Sequence, residues 1–431
     1  MKKVLFLATA MLAVAQTDPH AGHDMSQMNH AQPGDTNNTE AYLLKMASGT
    51  GQNPLSWPMP MLMPKGSMPK LGNWTFMIMG QGFLNATQQS GSRGGDKLYA
   101  ANWAMISATH RLGGGAIMLQ SMLSLEPGTI TKQRYPLLFQ TGETANGVPL
   151  ADGQHPHDFF MGLGVQYAHP LGENTMFQAY YAPVGDPALG PVAFPHRASA
   201  LELPQATLSH HLQDSTHIAS NVATVAVRHK WLRLEASSFY GTEPNENQWN
   251  IDWGHMNSYS ARVSIFPTSN WMAQFSAGRL TDPERQSHQP GQEEHGGDVV
   301  RMTSSVHYTR PMGFGNSWST SFIWGRNHSV RNQTNANSYL METLYPVSAK
   351  NFLTGRVEVV DKDELAVLHG SYRVKAFTGG YTRDIGTFQS IETGIGANLS
   401  AYAIPSALQP FYGQHPWGAN IFLRLRINSK L

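Results

Sequence analysis

The chain has 431 residues, no cysteine, and only 14% Asp, Glu, Lys and Arg, well below the roughly 25% of an average soluble domain. Thirty Lys and Arg face 29 Asp and Glu, so no basic excess marks a nucleic-acid partner. The missing cysteines exclude a disulfide framework, a thiolate metal site and a lipid-anchored cysteine.

In chain order, Lys2 and Lys3 precede the apolar stretch Val4–Val14 and the small residues Ala13-Val14-Ala15, the pattern of a secretory signal over residues 1–15. That stretch is too short to span a bilayer as a helix, and no longer apolar run follows it. Residues 16–72 have no strand period and read as a periplasmic tail and candidate plug, rich in Met, His and Pro. His20, His23, Met25, Met28 and His30 crowd into eleven residues. Imidazole suits several transition metals and thioether selects soft ions such as Cu(I). The segment therefore reads as a copper-binding tail that metal would order, against the plainer reading of a polar linker. Of 21 methionines, 11 lie in the first 80 residues. Met59, Met61, Met63 and Met68 alternate with prolines in an extended stretch that fits an apolar plug better than a soft-metal site. Residues 39–46 read as a short helix leading into it.

From residue 73 onward the chain alternates. Ala419, Ile421, Leu423 and Leu425 share one face while Asn420, Arg424, Arg426 and Asn428 share the other, with Phe422 breaking the rule. Marking every such segment predicts strands over 73–85, 96–111, 114–126, 158–169, 173–183, 218–229, 231–242 and 254–267. Eight more follow over 270–280, 298–310, 317–328, 338–347, 351–361, 371–384, 388–403 and 417–428. Short links alternate with long ones along the whole chain. An even strand number with that alternation predicts an all-β fold, a transmembrane antiparallel up-and-down β-barrel of about 16 strands over residues 73–431, with long external loops. Its place is the bacterial outer membrane, its partner the outer-membrane lipid, and both termini are periplasmic. A soluble sandwich also alternates, but gives no reason for short and long links to alternate throughout. The end Asn428-Ser429-Lys430-Leu431 lacks the aromatic that outer-membrane strands often carry.

The two longest loops hold the remaining histidine clusters. One ends in His155, His157 and Asp158; the other contains His196-Arg197 and then His210, His211, Asp214 and His217. Only two strands separate these loops, so they share one mouth. They fit either a divalent-metal site or a hydrogen-bonded constriction, the second being favoured, and no spacing matches a zinc motif. Arg233, Glu235, Arg262, Arg301, Arg356, Glu358, Arg424 and Arg426 fall on the inward face as pore-lining residues. Arginines outnumber acids there, which would favour anions, although Arg233 with Glu235 and Arg356 with Glu358 are placed to pair along one strand. No Gly-x-Ser-x-Gly elbow and no phosphate-cradling Gly loop occurs, so no enzyme activity is expected.

Gly49-Thr50-Gly51-Gln52-Asn53-Pro54, Gly153-Gln154-His155-Pro156-His157-Asp158-Phe159-Phe160, Pro195-His196-Arg197-Ala198-Ser199 and His210–His217 together resemble a family of uncharacterised bacterial proteins taken to be outer-membrane barrels. The stretch His20–His30 is similar to the Met/His-rich leader of outer-membrane copper-resistance proteins of the copper resistance B type, which implies periplasmic copper binding or export. The expected function is metal handling, with copper as the ion, the tail capturing it and the barrel anchoring or passing it. The alternatives are a small-solute porin, or a plugged structural or surface-binding barrel, with an incidental tail. No cofactor is required, and the sequence leaves the oligomeric state open.

Overall fold

The computed structural model describes residues 39–285, 297–365 and 367–428. The signal segment 1–15 and the tail ligands His20, His23, Met25, Met28 and His30 lie outside the described residues.

Sixteen antiparallel strands close into one barrel. They are β1 (Trp74–Gln89), β2 (Asp96–Leu112), β3 (Gly115–Leu123), β4 (Phe160–Gly172), β5 (Thr175–Gly185), β6 (Ala219–His229), β7 (Leu232–Tyr240) and β8 (Ser258–Thr268). There follow β9 (Trp271–Leu280), β10 (Val299–Pro311), β11 (Ser317–Ser329), β12 (Thr334–Ser348), β13 (Asn351–Lys362), β14 (Tyr372–Phe388), β15 (Ile391–Ala403) and β16 (Trp417–Ile427). Each strand pairs with its sequence neighbour, and β16 closes on β1 through Ala419↔Gln88, Ile421↔Ala86 and Leu423↔Leu84. All sixteen expected segments are strands, and closure leaves no barrel edge unpaired.

The alternation explains why these segments are strands here. Leu234, Val263, Phe275, Phe322, Leu399 and Ile421 point outward and are exposed, while Ser260, Arg262, Ser276, Thr303 and Arg424 point inward and are buried. An apolar exterior and a polar interior are what a lipid-embedded barrel requires. At the end where the turns are short, Trp271 packs on Tyr308, Tyr308 on Trp318 and Trp318 on Tyr345. Such a row forms part of an aromatic girdle at the membrane boundary.

The exception at Phe422 has a local cause. Its side chain is buried and meets Phe83 edge-on at 5.3 Å. Opposite it on β15 stands Gly396, where any Cβ would come within 2.3 Å of the Phe422 ring. The missing side chain makes the space the aromatic fills.

Two expectations change in detail. The strand reading leaves residues 127–157 as a loop, but within it Tyr135–Ala145 and Val148–Gln154 form a separate antiparallel hairpin at the long-loop end. The helix expected over 39–46 stops at Leu43, because Met46–Ser48 turns back at Gly49 to pair with Gly51–Gln52.

Candidate functional site: a filled lumen and a histidine mouth

Two segments occupy the barrel interior. One is the N-terminal plug, residues 39–63; the other is the connection between β5 and β6, residues 186–218, almost every residue of which is buried. Both sit where inward side chains of the wall can reach their backbone, so loop carbonyls that would be costly to bury alone find donors.

The plug turns tightly at Gly49-Thr50-Gly51. Gly49 has φ +48°, and a Cβ there would lie 2.8 Å from Asp186 Cβ, so both the conformation and the contact call for glycine. The turn exposes the Thr50 carbonyl, which accepts hydrogen bonds from Arg233 at 3.3 Å and Arg262 at 2.8 Å. Further along, Asn53 donates to the His196 carbonyl at 2.9 Å and accepts from the Ala198 amide at 3.1 Å, locking plug to loop. Ser56 reaches across to the Thr309 carbonyl, and the Leu62 amide donates to Ile78 on β1. Burial pushes the Asp186 carboxyl up to about 8, an effect that Arg262 opposes and Glu235 and Asp214 reinforce.

The loop is held as closely. Arg197 is fully buried and donates to Glu342 of β12 at 2.5 Å and to Asp214 at 3.2 Å. Ser209 donates to Glu358 through both its amide and its hydroxyl. Arg356 donates to the Gln205 carbonyl at 3.1 Å, and Arg301 to the His211 carbonyl at 2.7 Å and to Ser215 at 2.8 Å. Arg424 and Arg426 converge on Glu202 of the loop; both also pair with Glu392 of the wall, and Arg424 with Asp384.

All eight wall residues singled out from the alternation point inward, and seven grip the plug or the loop: Arg233 and Arg262 the plug, Arg301, Arg356, Glu358, Arg424 and Arg426 the loop, while Glu235 pairs with Arg233 and Arg262. Arg233 pairs with Glu235 at 2.9 Å along its strand, but Arg356 pairs with Glu342 at 3.0 Å on the neighbouring strand rather than with Glu358. Only a small cavity, about 20 Å³, remains between the loop at Leu203, Gln205 and Leu208 and the wall at Arg356, Thr378 and Tyr402.

At the long-loop mouth the two histidine loops meet. His157 lies 5.6 Å from His217, His217 5.3 Å from His210, His210 5.3 Å from His211, and His211 6.2 Å from His155, measured between ring centres. Acceptors hold this row of five imidazoles. Glu126 takes both the amide and the Nδ1 of His157; Asp214 takes His210 Nδ1 at 2.7 Å; the Asp214 carbonyl takes His217 Nδ1 at 2.8 Å. Glu143 stands 2.9 Å from His155 Nε2, and Glu243 3.6 Å from His211 Nδ1.

The row divides electrostatically. Burial opposes charge on His155, yet the adjacent Glu143 carries its pKa up to about 9. Burial, then the neighbouring His210, holds His211 and His217 well below the ordinary imidazole value, so both are neutral. Burial also works against an ionised Asp214, but His210 and Arg197 more than offset it and keep the carboxylate charged. Asp158 sits beside Glu143, and burial first and that neighbour second raise its pKa well above the usual carboxylate range. The Nε2 atoms of His211 and His217 are buried with no hydrogen-bond partner. Among the described residues no three His, Asp or Glu side chains converge as a ready cation cage.

Sequence reasoning passed over Glu342, Glu202 and Asp186. Glu342 was legible, since it sits on the inward face of β12 with Ser338, Leu340 and Leu344. Glu202 and Asp186 lie in a loop with no period, where nothing local shows which carboxylate meets an arginine.

No protein-family model matches the chain, and no curated protein matches it. Solved structures do. An anion-selective porin from Comamonas acidovorans superposes with a TM-score of 0.50 at 12% identity, over 82% of this chain and 99% of that one. The OmpF of Salmonella typhi gives 0.47 at 10% identity, over 82% and 98%. The DcaP channel of Acinetobacter baumannii gives 0.45 at 9%, over 85% and 100%. At such identities the likeness concerns the fold. The closed sixteen-strand barrel defines a porin-like, all-β transmembrane protein of the bacterial outer membrane.

Proposed function

We propose that the chain is a non-enzymatic, porin-like channel for small solutes, held shut at rest by its own N-terminal plug and inward loop. The observation that carries this reading is the grip of seven inward wall residues on those two segments. Buried arginines that bind backbone carbonyls and carboxylates cannot also solvate a passing ion. Movement of the plug or loop would unmask Arg233, Arg262 and Arg301, so the open state would favour anions. With the short turns on the periplasmic side, the plug enters from the periplasm and the histidine row faces outside.

Single-channel recording in planar bilayers tests the proposal. The wild-type chain should show small or rare openings. Arg233→Ala with Arg262→Ala, which frees Thr50, and Arg197→Ala, which frees the loop, should each raise conductance or open probability severalfold. Identical traces from all three proteins would sink the gating role.

Alongside this, we propose that His20, His23, Met25, Met28 and His30 capture copper in the periplasm, a reading supported by side-chain chemistry and by the leader they resemble. Unchanged copper stoichiometry after replacing all five would remove it.

A further inference from the structure

Beyond the gated channel, one side of the lumen has a composition that neither solute passage nor simple filling explains. Inward wall positions of a barrel with a wet interior are normally polar. Here Met79, Met105 and Met122 are all buried and directly opposed across β1, β2 and β3, as Met79↔Met105 and Met105↔Met122. Direct cross-strand partners bring side chains on one face into contact. Met161 of β4 and Met59 of the plug pack into the same cluster, in which six of nine buried residues are methionine. The larger apolar cluster, packed around the 135–154 hairpin, has 17 buried residues built from Tyr, Leu, Phe, Val, Ile and Ala, without one methionine. Methionine also packs in a smaller cluster, with Met46, Met118 and Met176 beside Tyr42 and Leu43, so what sets the first group apart is the nitrogen donor beside its sulfurs.

A nitrogen donor closes the group. His196 is buried to 2% exposure, with Nε2 2.9 Å from Met122 Sδ and Nδ1 buried without a partner. Trp103 covers it at 4.2 Å between ring centres. Thioether sulfurs together with a neutral imidazole make a donor set that selects soft ions over hard ones.

We propose that Met79, Met105, Met122 and Met161, with His196, bind a soft monovalent cation, Cu(I) or Ag(I), inside the barrel. Coordination would require only rotamer changes of flexible methionine side chains. The site is independent of whether the barrel conducts solutes.

The experiment uses the folded full-length chain with its tail ligands replaced (His20→Ala, His23→Ala, Met25→Leu, Met28→Leu, His30→Ala), loaded with one equivalent of Ag(I). Because the chain has no cysteine, any silver–sulfur scattering in the X-ray absorption spectrum must come from methionine. Sulfur in the first shell is expected; a shell of only nitrogen and oxygen overturns the proposal. In the same background, Met105→Leu with Met122→Leu should weaken Ag(I) affinity at least tenfold, and equal affinity would also overturn it. Leu is close to Met in volume, so the pair should fold. Should it fail to, Met79→Leu with Met161→Leu in the same background must show the same loss of affinity, and an unchanged affinity there overturns the proposal.

Discussion

At the residue scale, the charges inside this barrel are arranged so that hardly any stands alone. Arg197 illustrates the energetics. It has left water entirely, at a cost several kcal/mol in size, and recovers it through two carboxylates and the Val192 carbonyl in hydrogen-bonding range. The outer end of the histidine row yields a pH prediction. His155 titrates at about 9 in the folded protein against an ordinary 6.5. A value raised on folding means that the protonated ring stabilises the hairpin fully below pH 6.5 and loses that contribution as pH rises through about 9. The difference in unfolding temperature between wild type and His155→Gln should therefore be largest near pH 6 and vanish by about pH 10. A difference that stays constant across this range would show that the Glu143 contact contributes nothing through charge.

At the scale of elements, each strand is simple and each connection at the long-loop end has its own task. The strands need only alternate, since one face meets lipid and the other meets polar groups of the plug and loop. The hairpin over 135–154 lies over one side of the lumen, with Tyr135 stacked on Tyr99 at 4.3 Å and Phe139 against Tyr412 at 4.3 Å. The segment over 186–218 has only single turns of helix (Phe194–His196, Ala198–Ala200, His210–Gln213 and Ser215–Ile218) joined by irregular links, and this suits it to the wall. Free carbonyls at Gly190 and Gln205, and at His211 in a helix of a single turn, accept from Arg262, Arg356 and Arg301, which a longer helix or strand that satisfied its own carbonyls would not permit. The plug works in the same way at Thr50. Regular wall and irregular filling are complementary.

At the scale of the molecule, closure is the property on which the rest depends, because an open sheet in lipid would leave a row of unsatisfied backbone groups. The absence of native cysteine makes it testable. Ala86 on β1 and Ile421 on β16 are direct partners that both point outward, at a spacing a disulfide can bridge. Ala86→Cys with Ile421→Cys should crosslink in nearly full yield under mild oxidation of the folded protein, and its band should migrate differently from the reduced form after heating in detergent. Absence of that crosslink would mean that β1 and β16 do not meet in this register.

What the amino-acid sequence determined by itself was the wall: the sixteen strands, their faces and the alternation of short and long links. These follow from a period of two and from turn chemistry, both local, so they survive being read one segment at a time. Even Phe422, the exception, could be seen, but not its reason, since Gly396 lies a strand away. Tertiary structure alone decided what the inward residues do. Arginines on a polar face look the same in sequence whether they line water or grip a carbonyl. Which applies depends on residues 39–63 and 186–218 entering the lumen, a placement no periodicity encodes. The histidines of two loops became one row for the same reason, and the methionines of β1 to β4 became one cluster only when the strands were laid side by side. Local patterns carry the scaffold; the chemistry arises from contacts far apart in the chain.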